Sequence, residues 1–195
     1  MAPSYPIDVL WCPNARTKRK NGWSFPPAVR KLLIAECAGL TVLHLFGGLA
    51  DFGVRLDIDP RVKPDVIGDA WLPPFKRNAF DVVIIDPPYF RLNQQEKNAL
   101  LRGAAWVARS RVVWFHTIWI AADRYIRPER AWLVRVGDTC QVRCLQFFRV
   151  SRDKEKPLPY FSRGPAMKYN RWLVQPQSLP FQEGADTPIG VAERV

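Results

Sequence analysis

The chain is poor in the residues that most often build metal centres and disulfide frameworks. It has 195 residues, with only four Cys and two His. No two cysteines stand in a C-x-x-C pair: Cys140 and Cys144 are four apart, and Cys12 and Cys37 are isolated. Structural zinc needs tighter paired ligands, so free buried thiols are expected and no metal is assigned. No apolar run approaches the ~20 residues of a membrane helix, and Met-Ala-Pro-Ser-Tyr-Pro lacks a secretory pattern. A cytoplasmic protein without membrane association is expected. Acids are scarce as well: 18 Asp and Glu face 29 Lys and Arg, a net charge of +11.

What is present is a hydrophobic content of 48% with eight Trp, enough for one packed domain. The excess positive charge is clustered. Arg16, Lys18, Arg19, Lys20, Arg30 and Lys31 fall between Cys12 and Lys31 without an acid, and a second basic stretch spans Arg149 to Arg171. Clustered cations suit a phosphate backbone, where binding releases counterions. A solvated basic surface is the plainer reading. The bulk charge points to a polyanion without choosing between DNA and RNA.

The informative stretch is TVLHLFGGLADFGVRLDIDPRVKPDVIGDAWLPPFKRNAFDVVIIDPPYF, Thr41 to Phe90. Val42–Phe46, Val54–Ile58 and Phe80–Ile85 are short apolar runs ended by Gly, Asp or Pro, the pattern of buried parallel strands. Each delivers the chain into a chemically loaded turn: Gly47-Gly48, Asp57-Ile58-Asp59-Pro60 and Asp86-Pro87-Pro88-Tyr89. Ligands bind at the carboxyl ends of such strands. Asp57 and Asp59 should share a strand face, with Ile58 turned inward. Val66–Ala70 reads as a further short strand ending near Asp69.

This ordered set resembles class I S-adenosylmethionine-dependent amino-methyltransferases that carry a D-P-P-Y motif, over roughly Phe25 to Val150. The resemblance implies an α/β Rossmann-like fold with a seven-stranded, mostly parallel sheet and an antiparallel last strand. It implies S-adenosylmethionine as cofactor, with Phe46, Gly47 and Gly48 around its methionine part. Asp57 would hold the ribose and Asp69 the adenine amino group. Phe25 and Pro26 approximate a Phe-x-x-Pro element that closes over the cofactor; a helix start with an aromatic staple is the alternative. Trp71 is either an apolar wall for the adenine or a core residue. The chain departs from the family in two places. Ala50 stands where the last glycine of the loop belongs, and about five residues replace a helix of ten or more.

The tetrapeptide carries the chemistry. An exocyclic amino nitrogen on a nucleobase is a poor nucleophile because its lone pair is delocalised into the ring. Asp86 and the Pro87 carbonyl are suited to accept the two amino hydrogens, on a backbone stiffened by Pro87 and Pro88. Tyr89 would stack on the target base, and Phe90 would extend the platform. The resemblance therefore implies an adenine-N6 methyltransferase, with DNA preferred to RNA. Methylation of a protein glutamine, and a nucleic-acid-binding protein that has lost turnover, remain as alternatives.

Three parts are expected: a basic arm over 1–22, a methyltransferase domain over 23–150, and a basic, Pro-rich extension over 151–195. Ile7–Trp11 could add a short strand. A helix is predicted over Ala28–Ala38 and another over Asn93–Ala108, with a strand over Val112–Trp119. Asp123–Arg130 reads as a helix or loop, and Trp132–Val136 with Val142–Val150 as a strand pair. His116 reads as a core histidine. Arg16, Lys18, Arg19, Lys20, Arg163, Lys168 and Arg171, with Phe90, are the expected nucleic-acid contacts; Trp172 is either a stacking or a packing residue. The oligomeric state is left open.

Overall fold

The computed structural model describes residues 5–12, 18–19, 22–87, 92–117, 126–136 and 142–151. All of them lie within one compact unit, Met1–Gly164. The strands are β1 (Ile7–Cys12), β2 (Lys18–Arg19), β3 (Gly22–Trp23), β4 (Val42–Leu45), β5 (Val54–Asp57), β6 (Val66–Ile67), β7 (Phe80–Ile85), β8 (Ala108–His116), β9 (Ile126–Val136) and β10 (Val142–Val150). The helices are α1 (Pro27–Glu36) and α2 (Gln94–Val107). Eight strands form one sheet in the order β1-β9-β10-β8-β7-β4-β5-β6, and β2 pairs with β3 separately. Only β10 runs against its neighbours, β8 and β9. The fold is the expected α/β Rossmann-like one. The eighth strand is β1, added parallel to β9 at the edge.

The two helices cover opposite faces. Pro27 occupies the first turn of α1, where a missing N–H costs nothing, and Val29 and Leu33 are fully buried. They pack with Val82, Ile84, Val113, Phe115, Val134 and Phe147. α2 opens with a reciprocal capping box: the Asn93 side chain accepts from the Glu96 N–H, and Glu96 accepts from the Asn93 N–H. Its Leu100, Leu101, Ala104 and Ala105 lie against Leu43, Leu45, Val83, Ile85 and Trp114 on the other face. The alanines let the helix axis come close to the sheet. Ion pairs from Glu36 at the end of α1 to Arg111 and Arg130 fasten that helix across β8 and β9.

Three local expectations change. Arg127 and Arg130 belong to strand β9, which begins at Ile126 rather than near Trp132. Its register shifts against β10 between Phe147 and Phe148, opposite Pro128. A proline cannot donate to the ladder, and a bulge at that place lets the strand continue past it. The strand after β5 is confined to Val66–Ile67, leaving Asp69 in the following turn. Ile58 is exposed rather than turned inward, because β5 ends at Asp57.

Between β4 and β5 the chain crosses in eight residues, 46–53, without a helix. Gly53 ends this crossing at φ +69°, and a Cβ there would meet the Val42 Cβ and carbonyl at 2.9 Å. Gly53→Ala should therefore cost about 2 kcal/mol, a fall of roughly 5 °C in Tm. Thermal unfolding followed by circular dichroism checks this; an unchanged Tm would contradict the tight crossing.

Candidate functional site

The carboxyl ends of β4, β5, β6 and β7 are joined by hydrogen bonds into one continuous edge. The Asp86 N–H donates to the Leu45 carbonyl at 3.4 Å, tying the end of β7 to the end of β4. Phe46, Gly47 and Gly48 follow Leu45 directly. The Gly47 N–H donates to the Leu56 carbonyl at 2.9 Å, and the Gly48 N–H to Asp57 Oδ2 at 2.8 Å. Asp57 Oδ1 accepts from the Asp59 N–H at 3.0 Å. The Asp57 carbonyl in turn accepts from the Gly68 N–H, one residue before Asp69. Asp69 Oδ1 accepts from the Trp71 N–H at 2.9 Å.

The turn after β4 has to be glycine for reasons visible in its geometry. A Cβ on Gly47 would lie 2.6 Å from the Arg55 Cβ, far inside contact distance. Phe46 takes φ +59° and Gly48 φ +47°, and a left-handed phenylalanine is strained. Arg55 holds the turn from the other side. Its guanidinium donates to the carbonyls of Gly48, Val62 and Lys63, and its ion pair with Asp65 adds a fourth tie. Asp59 instead pairs with Arg61, and its side chain caps the 3₁₀ turn Pro60–Val62. Its carboxyl is held below the usual range chiefly by the Arg61 side-chain hydrogen bond.

The sequence-predicted residues thus separate into groups. Phe46, Gly47, Gly48, Asp57, Asp69, Asp86 and Pro87 come together at this edge. Phe25 is buried in the α1-side core, against the rings of His44 (5.9 Å) and Phe115 (6.0 Å). Pro26 is the residue that caps α1. Trp71 is half-buried and packs on the α2-side core. Pro88, Tyr89, Phe90, Arg16, Lys20, Arg163, Lys168 and Arg171 lie outside the described residues, as do Cys140 and Trp172. Lys18 and Arg19 lie in β2.

Two buried polar side chains at this end of the sheet were not singled out for the site. His44 of β4 is pressed edge-on against Phe52 of the short crossing, with ring centroids 4.6 Å apart. Its Nε2 has no hydrogen-bond partner among the described residues. Burial lowers its pKa from 6.5 to about 4, opposed in part by a hydrogen bond to the Phe52 backbone. A histidine inside an apolar run just before a glycine turn was the available signal. Trp114 of β8 is the register partner of Ile85 and fully buried, and its Nε1 also lacks a partner among the described residues. Cys37 and Cys144 are buried free thiols, pushed up to about 11 and about 12 by burial. Among the described residues no group of His, Cys, Asp and Glu could hold a metal ion, and no helix is long and apolar enough to cross a membrane.

No family model matches the chain, and no curated protein matches it. Solved structures do. Magnesium protoporphyrin IX methyltransferase (ChlM) from Synechocystis PCC 6803, with bound SAM, is 13% identical; the match covers 63% of this chain and 76% of that one, with a TM-score of 0.50. The protein yhhF from Escherichia coli is 16% identical over 72% of this chain and 92% of its own, with a TM-score of 0.50. At these identities the likeness is one of fold.

The neutrality of His44 has a testable sign. The folded chain disfavours the charged ring, so the stability gained is complete above pH 6.5 and lost as pH falls toward about 4. His44→Asn, which does not titrate, should show a flatter dependence of Tm on pH across that window than the parent. Identical slopes would contradict it.

Proposed function

We propose that this chain transfers the methyl group of S-adenosylmethionine to an exocyclic amino nitrogen of a nucleobase, with adenine N6 in DNA as the first substrate. The observation that carries the proposal is the single edge in which Asp86 is bonded to Leu45, one residue before the turn that Asp57 holds. The residues fit the cofactor in kind. The Asp57 carboxylate uses one N–H on each oxygen and keeps lone pairs for a ribose diol. The glycine turn offers backbone that a ligand can approach closely, and Asp69 supplies an acceptor for an amino group. When bound, the cofactor supplies a methyl already activated on a sulfonium.

The chain's own task is then to position the amine. Asp86 and the Pro87 carbonyl accept the two amino hydrogens, drawing the nitrogen toward a pyramidal geometry with its lone pair free. Both directly follow a strand buried from Val82 to Ile85, which limits how far the acceptors can drift. Tyr89, as in the resembling enzymes, is assigned to stack on the base. The net charge of +11 suits a polyanionic substrate. A second reading is favoured by the eight-residue crossing without a helix: a nucleic-acid-binding protein on this scaffold without turnover.

Labelled methyl transfer to DNA and to total RNA in parallel, with nucleosides identified by mass, tests the proposal. N6-methyladenine in one substrate is expected, and Asp86→Ala should lower the rate by about 100-fold or more. Calorimetry with the cofactor separates the second reading. Binding that weakens in Asp57→Ala supports the enzyme, whereas neither transfer nor binding would leave only the nucleic-acid-binding protein.

A further inference from the structure

The last strands of the sheet carry a row of residues in register. Trp11 of β1 lies opposite Arg135 of β9, and Arg135 lies opposite Val142 of β10. Because β1 and β9 run parallel to β7 through the sheet, Trp11 and Arg135 sit at the same carboxyl edge as Asp86. Trp11 is 45% exposed and Val142 49% exposed. The Arg135 guanidinium stands over the Trp11 ring, 4.6 Å from its centroid.

Two residues deeper, on the same face, Val9, Leu133, Cys144 and His116 form the next row. Exposure falls along it from 75% at Val9 to 1% at His116. His116 is two residues beyond Trp114, the partner of Ile85, which sets it level with Pro87. The exposed outer strands therefore run without a break into the buried end of β8, beside Asp86-Pro87. From β7 to β1 there are four strand spacings, roughly 19 Å, a distance a few nucleotides of single strand can cover.

An indole stacked under a guanidinium combines a π-face with a fixed cation. That pair accepts a nucleobase and its neighbouring phosphate, largely without regard to sequence. The location is also continuous in sequence with the acid-free run holding Arg16, Lys18, Arg19 and Lys20. We infer that Trp11 and Arg135 form a stacking subsite for single-stranded nucleic acid, holding a base a few nucleotides from the one presented at Asp86-Pro87. The inference rests on the proposed function for what occupies Asp86-Pro87. A second copy of the chain pairing along the open edge of β1 would be the competing occupant. It fits less well, because it would bring two chains of net charge +11 together around Arg135.

The test uses the full chain carrying Asp86→Ala, without cofactor, and a short fluorescein-labelled single-stranded oligonucleotide followed by anisotropy. Adding Trp11→Ala should weaken binding about tenfold, whereas Trp11→Phe, which keeps a ring, should retain most of the affinity. Arg135→Gln should lower the slope of log affinity against log salt by about one. Equal affinity in Trp11→Ala and its parent, with matching Tm, would overturn the subsite. So would a change from dimer to monomer on sedimentation without a change in affinity. The outcome is independent of turnover. Trp11-dependent binding by a chain that methylates nothing sinks the enzyme and keeps the subsite, and methylation with Trp11-independent binding does the reverse.

Discussion

The Asp57 carboxylate, shared between the N–H groups of Gly48 and Asp59, fixes the geometry on which the rest of the carboxyl edge depends. A parallel crossover ordinarily takes about a dozen residues, usually with a helix. Here eight suffice, because the crossing folds flat against the strand it is about to enter. Gly47 touches β5 itself, close enough that Arg55 leaves no room for a side chain, and donates to Leu56 on that strand. The crossing is thus secured by hydrogen bonds and the Arg55 guanidinium rather than by a buried helical face. Its apolar anchors are few: Phe46 packs on the α2-side core, and Ala50 and Phe52 on the α1 side, Phe52 against His44.

Economy of helices has a consequence at the other end of the sheet. α2 is set against β7 and β8, whereas α1 reaches the outer strands, lying along β1 and packing with Val134 of β9. On the α1 side arginine adds to this cover: Arg130 stacks over Trp132 and Phe147, and Arg143 over Phe115. Guanidinium planes cover aromatic rings while keeping their charge near water. On the opposite side Ile7, Val9, Trp11 and Leu133 stay exposed. Arg130 is at the same time ion-paired with Glu36 of α1, so one guanidinium both stacks and ties the helix to β9.

The centre of the fold was legible because its strands are buried on both faces and therefore read as unbroken apolar runs. β4 and β7 fall where Val42–Phe46 and Phe80–Ile85 predicted, and α2 falls within the helix predicted over Asn93–Ala108. Legibility failed where local pattern and tertiary pairing disagree. Ile126–Arg130 contains Pro128 and alternating charge, which argues against a strand; only a bulge within β9 itself, at Glu129, makes one possible, and a bulge leaves no mark in the sequence. Ile58 looked internal by alternation, but alternation holds only while the strand lasts, and β5 stops at Asp57. The apolar run around His44 was the one hint in the sequence; its contact with Phe52, eight residues away across the crossing, was not legible there. The order Gly47-Gly48, Asp57, Asp69, Asp86 could be read directly, since each residue follows a strand. That hydrogen bonds link them into one edge could not.

On the proposed function, cations carried by the described sheet itself would contribute directly to holding a polyanionic substrate. Cations gathered on a second domain would add affinity only through a linker, with the entropy of ordering that linker set against them. Cations carried by the sheet itself are already ordered by its hydrogen bonds and its stacked rings. Affinity gained in this way is rigid and close to Asp86, but poor in base-edge contacts, because backbone and stacking interactions do not discriminate sequence. On the proposed function, the physical expectation is an acceptor-based site selective for an amino group and permissive about the sequence that surrounds it.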